Sequence, residues 1–302
     1  MPEFREFKES QLDEIRTVLN SAMDYDSFSE TILREKIVDD PDFDPELQLG
    51  LWDGSRLLAF LSAVIRDMNT ERTGYIKLLA VDKQARKKGL ARQLYEETES
   101  RFRKRNVVKI RVCEAPVNYY MPGLDTRYME ALSFFEALGY VRFGETVNML
   151  VHLGDQDFDT SAEEDRFEKE NIQISRADYN DISEVFLFVD ENFPAWHTEI
   201  TNTYNSLPVS LHIARLNGDV KAFAAHNANN FGTGWFGPMG CHPDLQDAGV
   251  DAILLKRCMQ DMKEWELATS TIPWVNQTDF YAKHLQARTE RKFLRYEKPI
   301  EK

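Results

Sequence analysis

Apolar residues recur at helical spacing near the start of the chain. Leu12, Ile15 and Leu19 fall on one face of residues 9–20, which predicts a helix. Residues 47–64, LQLGLWDGSRLLAFLSAV, read as two strands joined at Asp53-Gly54, a dipeptide suited to a tight hairpin. Residues 74–81, GYIKLLAV, predict a third strand. A basic loop follows, then a helix from about Leu90 to Lys104 and a strand at 107–113. A second helix at 127–138 stops at Gly139, and 147–152, VNMLVH, read as a late strand.

The same order is then written again. Residues 178–188 predict a helix, 210–226 two strands around Asn217-Gly218, and 234–241 a strand. Next come HPDLQDAGVDAILLKRCMQDMKEW, a strand at 268–275, a short helix around Phe280 and Tyr281, and a last strand, KFLRYEK. Gly54 corresponds to Gly218 and Gly89 to Gly249. A long-period duplication is the simplest account. The expected architecture is α/β (α+β) in two similar domains, 1–153 and 171–302. Residues 154–170, GDQDFDTSAEEDRFEKE, are acid-rich and read as a solvated linker. The alternative is an acidic helix lying on the second domain.

Length supports the division, since 302 residues are too many for one ordinary core. The formal charge of −14 argues against nucleic acid as a partner, because phosphate backbones are bound by broad basic surfaces. No apolar run is long enough to predict a membrane span, and the start MPEFREFKES lacks the apolar core of an export signal. A cytoplasmic location is expected. Cys113, Cys241 and Cys258 form no CxxC, and no H-x-x-x-H pair occurs, so neither a disulfide framework nor a metal site is expected.

Against that acidity, VDKQARKKGLARQL at 81–94 gathers Lys83, Arg86, Lys87, Lys88 and Arg92 around Gly89. It does so where a strand gives way to a helix. The first N–H groups of a helix lack intrahelical partners, and the dipole leaves that end positive. Cations placed there oppose the dipole unless an anion is bound. Gly89 and Ala91 let a ligand approach the backbone. There is no G-x-x-x-x-G-K-[ST] and no G-x-G-x-x-G, so neither a Walker nor a dinucleotide site is predicted.

A strand, then R-x-x-G-x-A (Arg86, Gly89, Ala91), then a helix, in this order of elements, resembles the GNAT N-acetyltransferases. The duplication resembles a tandem GNAT. KLLAVDKQARKKGLARQL, NYYMPGLDTRYMEALSFFEALGYVRFGETVNM and IPWVNQTDFYAKHLQARTERKFLRYEK carry the resemblance. It implies two mostly antiparallel sheets flanked by helices, and acetyl-CoA as co-substrate. It also implies a pyrophosphate held by the backbone of Arg86, Lys87, Lys88, Gly89, Leu90 and Ala91, with Arg92 adding positive field. The strand at Leu79, Ala80 and Val81 would pair with the pantetheine arm.

The family often protonates the leaving thiolate with a tyrosine on the helix after the next strand. Here that position is Phe135, which leaves Tyr128 or Asp125 as candidates in the first half. In the second half the tyrosine is present as Tyr281, but the loop reads Gln246-Asp247-Ala248-Gly249-Val250-Asp251. Two carboxylates there would repel a pyrophosphate. The implied function is direct acetyl transfer from the first domain's acetyl-CoA to an amine of a small molecule or peptide. The alternatives are a non-catalytic acyl-CoA-binding regulator and an active site in the second domain. A monomer and a homodimer are both compatible with the sequence.

Overall fold

A computed structural model describes residues 2–68, 71–246 and 248–300. It divides into two compact units: Met1–Thr146 with Lys292–Lys302, and Val147–Arg291.

Unit 1 holds β1 (Glu3–Glu6), β2 (Gln48–Asp53), β3 (Arg56–Met68), β4 (Glu71–Val81), β5 (Lys109–Val112) and the two-residue β6 (Leu124–Asp125). Its helices are α1 (Leu12–Ala22), α2 (Glu30–Leu33), α3 (Leu90–Lys104) and α4 (Met129–Ala137). Strands β1 to β4 pair antiparallel in sequence order. The hairpin turn contains Gly54 as expected, at φ 59°. β5 then joins β4 in parallel, from Thr73↔Lys109 to Ile76↔Val112. α1 covers one face of the sheet with Ile15, Val18 and Leu19. α3 covers the other with Leu90, Leu94 and Phe102. Gly74 of β4 makes room for that packing: a Cβ there would lie 2.6 Å from the Phe102 ring. Full burial of one such ring contributes about 2 kcal/mol.

The boundary between units falls inside two strands, β7 (Val141–His152) and β13 (Arg288–Pro299). Residues 147–152 lie in unit 2, antiparallel to β12 (Thr269–Val275). Residues 292–299 lie in unit 1, where Glu297, Lys298 and Pro299 pair with Arg111, Ile110 and Lys109 of β5. The last strand of each half therefore pairs within the other unit, 147–152 with β12 and 297–299 with β5, whereas the sequence pattern places each with its own half. An alternating strand specifies which face it buries but not which edge it joins. Side chains fix the arrangement. Tyr296 and Ile300 enter the core of unit 1, and the Tyr296 hydroxyl donates to Glu136 at 2.6 Å. Met149 and Val151 enter the core of unit 2.

The rest of unit 2 comprises α5 (Ser161–Lys169), β8 (Ile172–Arg176), α6 (Ile182–Asn192), α7 (His197–Thr203), β9 (Leu211–Leu216), β10 (Asp219–His226), β11 (Phe236–Cys241), α8 (Val250–Glu264) and α9 (Thr278–Leu285). β8 to β11 form an antiparallel sheet with α8 packed on β9 and β10. The acidic stretch 154–170 is not a bare linker. Phe158 and Phe167 are buried in the core of unit 2, and Glu164 accepts from Arg257 Nε at 2.7 Å. Two aromatic residues outweigh the surrounding acids, which is the packed-helix alternative. No helix among the described residues is long and apolar enough to cross a membrane.

Candidate functional site

β4 and β5 separate beyond Ile76↔Val112. Cys113 still donates its N–H to Ile76 O at 2.8 Å, but its φ is 66° and β5 ends there. β4 runs on to Val81, held by β3 along its other edge. An extra residue, Lys77, bulges from β4 just at the split, since Ser62 faces Leu78 and Ala63 faces Ile76. The opening is a cleft of about 590 Å³. Leu79, Ala80 and Val81 line it together with Arg86, Lys87, Gly89, Leu90, Ala91 and Arg92. Tyr128, Phe135 and Cys113 line it too; Lys88, Asp125 and Tyr281 do not.

The loop below the cleft is built from local rules. Asp82 accepts from Gln84 N at 2.8 Å and starts a 3-10 turn, Lys83–Ala85. Lys87 and Gly89 both take the left-handed conformation, at φ 61° and 78°. Gly89 is the N-cap of α3, and no side chain caps that helix. Its first-turn N–H groups are therefore left to the cleft. A Cβ on Gly89 would meet nothing within 4 Å, so the open space a ligand needs lies against this backbone. These features fit a diphosphate.

Arg86 has structural work as well. It donates to Ala22 O at 2.8 Å, at the C-terminal end of α1, and pairs with the exposed Glu130 at 3.2 Å. A cation there complements the α1 dipole and ties that helix to the loop.

Tyr128, which also lines the cleft, is the N-cap residue of α4. Its hydroxyl donates to Asp26 Oδ2 at 2.6 Å and accepts from Tyr25 N at 3.1 Å. The Tyr25 and Tyr128 rings meet edge to face, 5.2 Å apart, and the Arg127 guanidinium sits 4.4 Å over Tyr25. Asp125 is fully buried and accepts from Arg127 Nε at 3.0 Å and from Arg127 N at 2.8 Å. Its carboxylate anchors that arginine. Phe135 is buried against Phe134 and Tyr140. Burial, aided by the charges of Asp26, Glu114 and Asp125, pushes the Cys113 thiol up to about 12. A thiol held there stays protonated at neutral pH and is a poor nucleophile.

Under β4 lies a buried ion cluster that no local pattern announces. Asp40 takes both ends of Arg66, at 2.7 and 2.9 Å, and also pairs with Lys77. Burial pushes Lys77 down to about 8, although Asp40 opposes the shift.

Unit 2 repeats the backbone of the loop with different side chains. His242 accepts from Asp244 N and starts the 3-10 turn Pro243–Leu245. Gly249 N-caps α8 at φ 85°. There Asp251 Oδ1 accepts from the neighbouring Ala252 N–H at 2.9 Å, which sets a carboxylate in the first turn. Tyr281 packs with Phe280 against the core of unit 2, 6.4 Å from the Phe236 ring, and burial raises its hydroxyl with help from Asp251. Asp247 lies outside the described residues.

Unit 2 also brings together His212, His226 and Asp261, a group of the kind that holds metals. Sequence spacing could not show it, because the three come from β9, β10 and α8. Both histidine Nε2 atoms meet Asp261 Oδ2, at 2.8 and 2.9 Å. Arg176 already grips the same carboxylate with two bonds of 2.6 Å. The guanidinium supplies the positive charge that a cation would bring.

The model of the acetyltransferase (GNAT) family matches residues 13–122, which contain α1, the cleft strands and the Gly89 loop. No curated protein matches the chain. Among solved structures, a glucosamine N-acetyltransferase region in a fungal multi-domain GH3 β-N-acetylglucosaminidase aligns over 99% of this chain, with TM-score 0.83 and 17% identity. The chain spans only 38% of that protein. A GCN5-related N-acetyltransferase from Sphaerobacter thermophilus aligns over the whole chain and 96% of its own, with TM-score 0.72 and 14% identity. A tandem GNAT protein from the clavulanic acid biosynthesis pathway aligns over 99% of this chain and 98% of its own, with TM-score 0.72 and 11% identity. The fold is that of a tandem GNAT.

Proposed function

We propose that unit 1 binds acetyl-CoA and passes its acetyl group directly to the amine of a small molecule or peptide. The observation that carries this reading is the uncapped N-terminus of α3 at Gly89, open to a cleft made by the parting of β4 and β5. Leu90, Ala91 and Arg92 would give backbone N–H groups to the diphosphate. Lys87, Lys88 and Arg92 would add positive field. The free edge of β4 at Leu79, Ala80 and Val81 would take the carrier arm as an added strand. When bound, the carrier supplies an acetyl thioester, and Cys113 stays a bystander because its thiol is protonated. Phe135 cannot give a proton to the departing sulfur, so the polar chemistry falls to the Tyr128 end. Asp251 makes the corresponding end of unit 2 unsuitable for a diphosphate, and unit 2 serves as structural partner. The protein would work in the cytoplasm with no metal.

Calorimetry with acetyl-CoA tests the binding step, and thiol release with an amine panel tests transfer. The panel includes glucosamine, because the fungal region that aligns with this chain is described as a glucosamine N-acetyltransferase. Binding unaffected by Arg86→Ala together with Gly89→Val, but lost with Gln246→Ala together with Tyr281→Phe, would place the carrier in unit 2 instead.

A further inference from the structure

The geometry points to Asp26 as a positioning residue that turns Tyr128 into a proton acceptor for the incoming amine. This rests on the acetyl-transfer reading of the cleft. A phenol has one proton to give. In Tyr128 that proton is directed to Asp26 Oδ2 at 2.6 Å, while the oxygen takes the Tyr25 N–H at 3.1 Å. The hydroxyl is thus oriented with its oxygen as the reactive atom, and it is not set up to protonate a thiolate. Tyr128 lines the cleft; Asp26 is half-buried and does not. Asp26 therefore acts through Tyr128. The pair stands close enough to Cys113, where β4 and β5 part, for the Asp26 charge to be felt there.

The step balances as follows. The acceptor arrives as an ammonium, R–NH3+. Tyr128 takes one of its protons while passing its own to Asp26, so the amine becomes neutral and Asp26 a carboxylic acid. The nitrogen then forms a bond to the thioester carbonyl carbon, and the C–S bond breaks. The surplus proton on nitrogen goes to the departing sulfur, giving the amide and free thiol. Asp26 finally returns its proton to solvent through Tyr128. Neither residue changes its charge over the cycle.

The test measures kcat/KM against pH for the full-length protein and for Asp26→Asn, Asp26→Glu and Tyr128→Phe, with acetyl-CoA and the best amine of the panel. Asparagine still accepts the tyrosine hydrogen bond but cannot take the proton. Asp26→Asn is expected to lose about 10²-fold in kcat/KM near neutral pH. The loss should shrink as pH approaches the amine's own pKa, where deprotonation no longer needs help. Acetyl-CoA affinity by calorimetry should not move, glutamate should restore part of the rate, and the double variant should be no worse than either single one. A loss that is the same at every pH, or one matched by lost acetyl-CoA affinity, would reduce Asp26 to a structural prop and overturn the proposal. Wild-type rates in Asp26→Asn would overturn it as well. If wild type itself turns over no amine, the transfer reading falls and the relay with it. If wild type turns over and only the variants misbehave against expectation, the relay alone falls.

Discussion

The two loops at Gly89 and Gly249 share a backbone and differ in chemistry. Each follows a capped 3-10 turn, each glycine is left-handed, and each starts a helix of 15 residues. In unit 1 the first turn carries no acid, and a cleft stands over it. In unit 2 Asp251 sets a carboxylate in the first turn, and Tyr281 and Phe280 pack nearby. On the proposed reading, both units keep the scaffold of an anion site, and side chains at one or two positions decide whether it is used. A second contrast runs parallel to it. Each unit buries a carboxylate, but Asp40 is held by Arg66 and Lys77, whereas Asp261 is held by Arg176 and two histidines.

The largest effect should come from ending the chain after Arg291. Unit 1 then loses the strand that pairs with β5, along with Tyr296 and Ile300 from its core. The truncated protein should show no acetyl-CoA binding, and amides of β4 and β5 should lose their protection in hydrogen exchange. A truncated chain that binds normally would mean the exchanged strands are dispensable. Next is Asp40→Ala, which leaves Arg66 and Lys77 without their shared carboxylate. Stranding buried charge this way costs about 3–5 kcal/mol, readable in urea denaturation.

Ala91→Asp tests the difference between the loops directly, because it copies the acid of Asp251 into unit 1. Acetyl-CoA affinity should fall about 10²-fold, while stability holds or rises by a few tenths of a kcal/mol, since acids suit an empty helix N-terminus. The reverse change, Asp251→Ala, should give no new binding, because the neighbouring aromatic residues remain packed. The smallest effect is one of pH. Burial lowers the His212 pKa, so the folded state favours neutral imidazole. As pH falls below about 6.5 the unfolded chain takes up a proton that the folded chain refuses, and stability declines toward the lower folded pKa. Unit 2 should therefore loosen before unit 1 on mild acidification, seen as earlier loss of exchange protection in β9 and β10. His212→Asn should flatten that part of the profile.

Much of this was legible in the chain. Periodicity showed the elements, the doubled pattern showed two similar halves, and R-x-x-G-x-A showed the loop that lines the cleft. What escaped had long-range causes. Nothing in VNMLVH or KFLRYEK says which sheet edge it will join. Asp26 lies about a hundred residues from Tyr128, and only folding brings them within a hydrogen bond. The His212, His226 and Asp261 group likewise draws on three separate elements. In 154–170, the acids hid two phenylalanines that pack.

One titration bears most directly on a single site in unit 1: acetyl-CoA added to the labelled, full-length protein, followed by amide NMR and calorimetry together. One equivalent should bind, with shifts concentrated at residues 86–92 and along Leu79–Val81, and with residues 248–252 unmoved. Two equivalents, or shifts centred on Gly249, would contradict the account.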